Sequence, residues 1–456
     1  MDYDLKQHPV DTIALVTATE RLTWGELIDE SSRLAHFLGR TVPDARHIGL
    51  YASNSKDYVV AVHAVHLLGK VLVPLNTRLT TSELAMQLDK AHIDILLVDQ
   101  EIDLNVPQID VSVRDQEPLR RHHRWGRDEV ISLMFTSGTT GHAKAVQQTY
   151  GNHRASAEAA KKHLGYEPTD RMLVVTPLFH MSGLAQVYRC ALFGSALYVE
   201  PKFDVLRTIQ LIASERITHL SLVAIMLGRL LDAGLTSHHL RVILVGGGPV
   251  PRPLLEEADR RHLPIAQTYG MTETCSQVAT LLPSEALDHI GSSGQAIAPT
   301  RIRISRDGEI EVNGPTVTPG YYNESEANAW TEDRYWRTGD LGTIQDGYLY
   351  VFDRRSDLII SGGENIYPAE IESVLLRCPG IEDAGVTGKP DPTWGAVPIA
   401  YIVGTYDPHE LTQILNDHLA KYKHPKALIT VTQLPRNANG KLMRHRLKET
   451  DYDSTS

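Results

Sequence analysis

The stretch from residue 134 to residue 146 reads Met-Phe-Thr-Ser-Gly-Thr-Thr-Gly-His-Ala-Lys-Ala-Val and follows an apolar run at 130–135. Glycines let backbone N–H groups turn towards an anion, and hydroxyl and ammonium groups add further donors. Such groups are carried here by Thr136, Ser137, Thr139, Thr140 and Lys144. The spacing is not that of a Walker A loop, which has Gly-Lys-Ser/Thr after a four-residue spacer. The stretch predicts a phosphate-binding loop, although a plain polar turn between a strand and a helix fits it equally well.

Strand-like and helix-like segments alternate on both sides of this loop. Thr23 and Glu26 form a predicted capping box at the start of one helix, and Thr80 and Glu83 form a second. Short apolar runs typical of buried strands lie at 48–51, 71–75, 93–98, 172–175, 196–199, 217–223 and 241–245. Alternation of this kind predicts an α/β fold, in which mainly parallel sheets carry helices on their faces.

The pattern changes near residue 290. Residues 301–304 and 309–312 alternate apolar and charged side chains around a turn that ends at Gly308, which predicts a hairpin. A polar linker is predicted at 353–357, and Pro368 then marks a helix start. A further amphipathic helix is predicted from the apolar side chains of Leu411, Ile414, Leu415, Leu419 and Tyr422.

These segments predict two domains, since a chain of 456 residues exceeds the size that one core usually serves. The first, at 1–355, is expected to be a large α/β domain with two helix-flanked sheets. It includes a β-barrel-like subdomain at about 290–355. The second, at 356–456, is expected to be a small mobile α+β domain.

Composition excludes several classes of protein. The hydrophobic content of 42% and charged content of 22% are those of an ordinary soluble protein. The net charge of −11 argues against nucleic-acid binding, which needs a basic surface. The 3 cysteines are too few for a disulfide framework. With no signal-peptide pattern and no apolar run of about 18 residues, we expect a cytoplasmic protein without a membrane partner. Whether it forms a homo-oligomer is left open.

Four further motifs have the composition of ligand-binding loops. They lie at 269–274 (Tyr-Gly-Met-Thr-Glu-Thr), 336–342 (Trp-Arg-Thr-Gly-Asp-Leu-Gly), 361–368 (Ser-Gly-Gly-Glu-Asn-Ile-Tyr-Pro) and 435–444 (Pro-Arg-Asn-Ala-Asn-Gly-Lys-Leu-Met-Arg). Glu273 is a suitable ligand for Mg²⁺, and the Asp340 carboxylate can accept hydrogen bonds from both hydroxyls of a ribose. Taken singly, each motif has a plainer explanation. Glu273 fits a helix start, Asp340 an Asx-type turn, the paired glycines a tight turn, and Lys441 a solvated surface.

The order and spacing of all five motifs resemble those of the adenylate-forming superfamily of acyl-CoA synthetases, luciferases and peptide-synthetase adenylation domains. The resemblance covers essentially the whole chain. It matches the superfamily's phosphate loop to 136–144, Tyr-Gly-x-Thr-Glu to 269–273, Thr-Gly-Asp to 338–340, the linker arginine to Arg354 and the C-terminal Gly-Lys to 440–441. It implies two half-reactions. A carboxylate attacks the α-phosphorus of ATP, giving an acyl-adenylate and pyrophosphate, and the CoA thiol then displaces AMP.

The resemblance also implies a role for each matched residue. ATP would be bound by Thr136, Ser137, Gly138, Thr139, Thr140, Lys144, Gly247, Tyr269, Gly270, Thr272, Asp340, Arg354 and Lys441. The Mg²⁺ ligand would be Glu273. The acyl group would lie against His180, Gly246, Gly248 and Ser292, and the CoA tunnel would be lined by Ser361, Gly362, Gly363 and Glu364. The catalytic residues would be Lys441, His180 and Thr272, and the small domain would rotate about a hinge at Ser356. A plain structural role for His180 remains the alternative.

Three stretches, at 148–153, 177–183 and 353–370, further resemble the 2-succinylbenzoate–CoA ligases of menaquinone biosynthesis. That resemblance implies an aromatic carboxylate, ATP and CoA as substrates. One alternative is another aryl- or acyl-CoA synthetase. A non-catalytic adenylate-binding relative is disfavoured, because Glu273 and Lys441 are both present. The chain departs from the superfamily at Ala143 and Ala145, where Pro and Gly are usual.

Overall fold

The computed structural model describes residues 5–136, 143–236, 239–248, 250–324, 329–354, 357–361, 364–391, 394–419, 421–436 and 442–449. The strands in these ranges are β1 Ile13–Val16, β2 Arg21–Thr23, β3 His47–Tyr51, β4 Val71–Pro74, β5 Ile95–Val98, β6 Gln108–Asp110, β7 Val130–Thr136, β8 Lys144–Thr149, β9 Arg171–Val174, β10 Ala196–Val199, β11 His219–Leu222, β12 Val242–Val245, β13 Ile265–Met271, β14 Ser276–Leu281, β15 Gln295–Ala296, β16 Arg301–Ile304, β17 Glu309–Asn313, β18 Trp336–Gln345, β19 Tyr348–Arg354, β20 Ile359–Ser361, β21 Glu364–Ile366, β22 Ile381–Asp391, β23 Gly395–Gly404 and β24 Ala427–Thr430. The α-helices are α1 Trp24–Thr41, α2 Lys56–Leu67, α3 Thr81–Lys90, α4 Tyr150–Leu164, α5 Met181–Phe193, α6 Val205–Ser214, α7 Ala224–Asp232, α8 Arg252–Arg260, α9 Pro368–Leu375, α10 Pro408–His418 and α11 Arg444–Glu449.

Two large sheets form the first part of the chain. The nine-stranded sheet has the order β15-β14-β13-β12-β11-β9-β10-β1-β2, and its strands from β13 to β1 are parallel. The six-stranded sheet has the order β6-β5-β3-β4-β7-β8 and is parallel except for the pair β7–β8. The predicted α/β fold with two helix-flanked sheets is therefore confirmed.

Local capping signals set the starts of two helices in this region. The Thr23 side chain accepts from the backbone N–H of Glu26, and the Glu26 carboxylate accepts from the backbone N–H of Thr23. Thr80 and Glu83 form the same reciprocal pair ahead of α3. Caps of this type typically contribute about 1 kcal/mol each. Both predicted capping boxes are confirmed.

The β-rich subdomain is a four-stranded antiparallel sheet in the order β16-β17-β18-β19. The predicted hairpin is confirmed, with Gly308 at a φ of 80° in its turn. Its apolar side chains share one core with Val278 and Ala279 of β14, so the sheet packs against the edge of the nine-stranded sheet. The predicted linker at 353–357 begins too early, because β19 continues through Arg354.

The last part of the chain has a sheet and a core of its own. Strands β21, β20, β23, β22 and β24 form a five-stranded sheet, and α9 and α10 cover it with side chains such as Ile371 and Leu411. Helix α9 starts at Pro368 as predicted. Helix α10 ends at His418, so the prediction that it includes Leu419 and Tyr422 was wrong. Tyr422 lies in a short 3₁₀ turn and is 46% exposed.

Of the helices that the described ranges contain, none is long and apolar enough to cross a membrane.

Candidate active site

The predicted phosphate loop joins two antiparallel strands. Thr136 ends β7 and pairs with Lys144, the first residue of β8, so the loop begins and ends at neighbouring positions. The interpretation as a turn between a strand and a helix was wrong, since α4 starts only at Tyr150. Ser137, Gly138, Thr139 and Thr140 lie outside the described residues, and their phosphate contacts stay predictions.

Lys144 and Glu273, which are far apart in sequence, meet at the ring of Tyr321. The Lys144 Nζ atom lies 4.5 Å from the ring centroid, a distance at which a cation is attracted to an aromatic face. The Tyr321 hydroxyl donates to Glu273 Oε1 at 2.9 Å. Tyr321 is held in place because the backbone N–H of Tyr322 donates to Ala145 O of β8 at 2.8 Å. No sequence motif had indicated Tyr321.

Thr272 and Glu273 lie in a 3₁₀ turn, Thr272–Thr274, between the antiparallel strands β13 and β14. The two residues that follow have left-handed backbones, with φ of 52° at Cys275 and 96° at Ser276. Non-glycine residues hold such conformations only where their surroundings fix them, and they cluster at functional sites. The alternative interpretation, in which Glu273 lies at the start of an α-helix, was wrong, because only a 3₁₀ turn of three residues forms there.

Gly270, predicted to contact ATP, has a packing reason to be glycine. A Cβ atom there would lie 2.0 Å from Ser276 O of the adjoining strand. Its contact with ATP stays a prediction that the residue type does not by itself support.

Asp340 is joined to the same region by Tyr269. The Tyr269 hydroxyl donates to Asp340 Oδ2 at 2.8 Å, and Asp340 pairs with Arg354 across β18 and β19. Asp340 lies inside strand β18, so the interpretation as an Asx-type turn was wrong. Gly339 nevertheless has a φ of 74°, and its N–H donates to Glu309 Oε1. The backbone thus brings both predicted ribose ligands to neighbouring positions.

The surroundings of Glu273 fit a magnesium ion held mainly by substrate. Glu273 is 6% exposed, and its carboxylate accepts from the Tyr321 hydroxyl through Oε1. Within the described ranges, no group of three His, Cys, Asp or Glu side chains could form a protein-only metal site. Mg²⁺ commonly binds through one or two carboxylates together with substrate phosphates. One buried carboxylate beside a phosphate loop meets that requirement.

His180 occupies the position before α5. Burial, together with the positive charge of Arg78, lowers the pKa of His180 to about 4. The imidazole is therefore neutral near pH 7 and can donate through one nitrogen and accept through the other. The preceding loop is fixed by Asn54, whose Oδ1 accepts from the N–H of Leu178 at 2.8 Å. Arg78 had no sequence signal beyond being a lone cation in a polar loop.

The remaining acyl-pocket predictions differ in their surroundings. Gly246 follows β12 directly, and Gly247 and Gly248 are exposed, with a φ of 82° at Gly247. Ser292 is fully buried, and its hydroxyl donates to Leu349 O at 2.9 Å. That hydroxyl is directed at backbone in this structure, so its contact with an acyl group stays a prediction.

Several predicted residues belong to the later part of the chain. Ser356, Gly362, Gly363 and Lys441 lie outside the described residues. Ser361 ends β20, while Arg354 and Glu364 are placed by their strand backbones alone. The hinge, the CoA tunnel and the role of Lys441 therefore stay predictions.

Comparison with known proteins relates this geometry to a family. The family described as AMP-binding enzyme matches residues 1–322, and the family described as AMP-binding enzyme C-terminal domain matches residues 370–441. A 2-succinylbenzoate–CoA ligase of Bacillus velezensis is 42% identical over 463 aligned residues, which cover 96% of this chain and 95% of the relative.

Solved structures of one enzyme resemble this chain to different degrees. The o-succinylbenzoate CoA synthetase of Bacillus subtilis, in complex with its acyl-adenylate intermediate, gives a TM-score of 0.92 at 40% identity and covers 99% of this chain and 98% of that one. The complex of the same enzyme with ATP and magnesium gives a TM-score of 0.90 at 40% identity and covers 97% of this chain and 98% of that one. A double mutant of that enzyme bound to a CoA product analogue gives a TM-score of 0.75 at 40% identity and covers 98% of this chain and 97% of that one.

Proposed function

The chain belongs to the AMP-binding enzyme family, and we propose on that premise that it is an ATP-dependent CoA ligase acting on 2-succinylbenzoate. The product is 2-succinylbenzoyl-CoA, formed through an acyl-adenylate with release of pyrophosphate and AMP, as a step of menaquinone biosynthesis. The observation that carries this proposal is the convergence of three distant motifs. Lys144 and Glu273 meet at Tyr321, and Tyr269 joins the second motif to Asp340. The choice of acid rests on the relative of that name, which matches along 96% of the chain.

The first half-reaction brings two anions together, a carboxylate and a triphosphate. A carboxylate oxygen bonds to the α-phosphorus, and the bond to the bridging oxygen of pyrophosphate breaks. Fixed positive charge is the main requirement of such a step. Lys144 supplies an ammonium at the end of the phosphate loop, held against Tyr321 rather than free in solvent. Mg²⁺ bound at Glu273 would neutralise phosphate charge, and Thr272, in the same turn, would contact the α-phosphate.

The acid is held by a neutral polar group and a nearby cation. 2-Succinylbenzoate has a second carboxylate that does not react, together with a keto oxygen. A neutral His180 can hydrogen-bond either oxygen, and the positive charge of Arg78 favours a substrate with an additional negative charge. The aromatic ring would lie against Gly246 and Gly248, and a Cβ atom at Gly248 would meet no other atom within 4 Å.

The second half-reaction requires a different set of groups. The CoA thiol, once deprotonated, bonds to the acyl carbon, and AMP leaves. We propose that Lys441 serves the first step only, and that rotation at Ser356 replaces it by the CoA tunnel at 361–364. This is supported by the related enzyme, whose complexes give TM-scores of 0.92 with the acyl-adenylate and 0.75 with the CoA analogue at equal identity.

The experiment that tests the substrate is a panel of aromatic carboxylates incubated with ATP, Mg²⁺ and CoA. We expect acyl-CoA, AMP and pyrophosphate in equal amounts with 2-succinylbenzoate. Benzoate, which lacks the succinyl chain, should give none. Turnover of a different acid, with 2-succinylbenzoate inert, would overturn the choice of substrate and leave another acyl-CoA synthetase as the function. We further propose that the enzyme works in the cytoplasm, where ATP and CoA are available.

A further inference from the structure

The segment Gln148–His153, where β8 meets α4, contains none of the proposed substrate ligands, yet its side chains hydrogen-bond to the turn that carries Glu273, to Cys275 directly after it, and to the segment at 315–317. Thr149 caps α4, and its N–H donates to Asn152 Oδ1. Gln148, Asn152 and His153 are each at most 7% exposed. Each of these three side chains also hydrogen-bonds to a part of the fold outside the segment.

Gln148 connects the strands of the phosphate loop to Thr272. Its Nε2 donates to Thr272 O at 2.8 Å, and its Oε1 accepts from the hydroxyl of Ser132 on β7 at 3.1 Å. Gln148 is fully buried, so water does not compete for these bonds.

His153 continues this chain of hydrogen bonds to Cys275. Its Nε2 lies 2.8 Å from Ser132 Oγ, and its Nδ1 lies 3.3 Å from Cys275 Sγ. Because the Ser132 hydroxyl proton points to Gln148, Nε2 must donate to Ser132, and Nδ1 then accepts from the thiol. Burial lowers the pKa of His153 to about 3 and raises that of Cys275, so the imidazole is neutral and the thiol protonated. The directions of all the bonds are mutually consistent.

Asn152 fixes the other side of Glu273. Its Nδ2 donates to Pro315 O at 2.8 Å and to Val317 O at 2.9 Å. The adjoining residue, Thr318, donates its N–H to Glu273 O at 2.8 Å. The same segment of chain leads to Tyr321, whose hydroxyl binds the Glu273 carboxylate.

We propose that Gln148, Asn152 and His153 are positioning residues for adenylation, which hold the turn of Thr272 and Glu273 in register with the phosphate loop. The proposal rests on the proposed function. The left-handed backbones of Cys275 and Ser276 need such support. Displacing a metal ligand by a fraction of an ångström weakens the first half-reaction, which uses the metal, while the second is spared.

The test is Gln148→Met, which keeps the length of the side chain but cannot donate to Thr272. Adenylation is measured as acid-dependent ATP–pyrophosphate exchange over a Mg²⁺ titration, and thioester formation from supplied acyl-adenylate is measured separately. We expect exchange to fall by about tenfold, with a higher Mg²⁺ requirement, and thioester formation to change by less than about twofold. The matched control is Gln87→Met, a buried glutamine on α3, which should leave both rates unchanged.

A second pair of variants covers the case in which Gln148→Met does not fold. Cys275→Ser keeps a donor for His153 and should retain exchange, whereas Cys275→Ala removes the donor and should lower exchange and raise the Mg²⁺ requirement. Equal losses in both half-reactions, or an unchanged Mg²⁺ requirement, would overturn the proposal. Failure of the proposed function gives a different result, because the unmodified protein would then show no exchange with 2-succinylbenzoate. The variants are compared with whichever acid the unmodified protein activates.

Discussion

Tyr321 gives the active site a shared support for two opposite charges. Its ring faces the Lys144 ammonium, and its hydroxyl binds the Glu273 carboxylate. Neither contact neutralises the charge of its partner, because the ring carries no net charge and the hydroxyl is a neutral donor. Tyr321 itself therefore neutralises neither charge.

Glu273→Gln tests the role of the carboxylate at this support. The amide oxygen can still accept from Tyr321, so the fold should persist, but the negative charge that attracts Mg²⁺ is lost. We expect adenylation to fall by about 100-fold, with half-saturation moved to higher Mg²⁺ concentration. Tyr321→Phe, which keeps the carboxylate, is the comparison and should retain more activity. Unchanged Mg²⁺ dependence in Glu273→Gln would favour a purely structural glutamate.

His153 gives the protein a dependence of stability on pH. Its pKa in the folded protein is about 3 because of burial, and an unfolded histidine has a pKa of about 6.5. Between these values the unfolded chain binds a proton that the folded protein does not. Stability from this group is therefore complete above pH 6.5 and decreases as pH falls, by about 1.4 kcal/mol per pH unit.

Urea unfolding of His153→Gln at pH 5 and pH 7 measures this contribution. The variant should be less stable at pH 7, but its stability should fall less between the two pH values. The control is His409→Gln, in which an exposed histidine is replaced. An identical pH dependence in His153→Gln would mean that His153 does not titrate as its burial predicts.

At the scale of elements, helix starts that depend on local hydrogen bonds were predicted correctly, whereas elements that depend on tertiary contacts were not. The capping boxes of Thr23 and Thr80 were correct, because their bonds close within four residues. Strand β8 was missed because Gln147 and Gln148 look like surface residues in sequence. Their partners, Tyr321 O and Thr272 O, are more than a hundred positions away. Tyr422 was wrongly placed in a helix because its apolar spacing continued past the true end of α10.

Some residues of the candidate site could be predicted from the sequence, and others could not. The five motifs could be found from residue types and spacing, since a phosphate loop and a metal ligand have characteristic compositions. Arg78 and Tyr321 could not, because each acts through a neighbour that only the fold supplies.

Strand β8 also explains one departure from the superfamily pattern. Ala145 is fully buried and pairs with Phe135 in an extended backbone, where a Cβ atom is tolerated. Ala145→Gly should lower the free energy of unfolding by about 1 kcal/mol, because glycine loses more backbone freedom on folding. Pyrophosphate exchange should stay within about twofold. Urea unfolding and exchange assays check both values. A loss of exchange beyond about tenfold would instead show that Ala145 sets the geometry of the loop.

At the scale of the whole molecule, the earlier and later parts of the chain have separate hydrophobic cores, which is compatible with different roles for the two parts. The five-stranded sheet has its own buried cluster, including Ile371, Ile402 and Leu415. Phe352 of β19 packs against Tyr367 just before α9, with ring centroids 5.0 Å apart. The segment between these two rings contains Ser356, the proposed hinge. The structure is more similar to the related acyl-adenylate complex, at a TM-score of 0.92, than to the complex with the CoA product analogue, at 0.75.

Lys441→Ala tests whether the later part of the chain serves the two half-reactions in turn. Lysine acts as a point charge between carboxylate and α-phosphate, so its removal should lower pyrophosphate exchange by about 100-fold or more. Thioester formation from supplied acyl-adenylate should change by less than about threefold, because that step takes place after Lys441 has left. The control is Lys421→Ala, an exposed lysine in the same part of the chain. Equal losses in both half-reactions would mean that Lys441 stays at the site throughout, and rotation at Ser356 would then have no catalytic purpose.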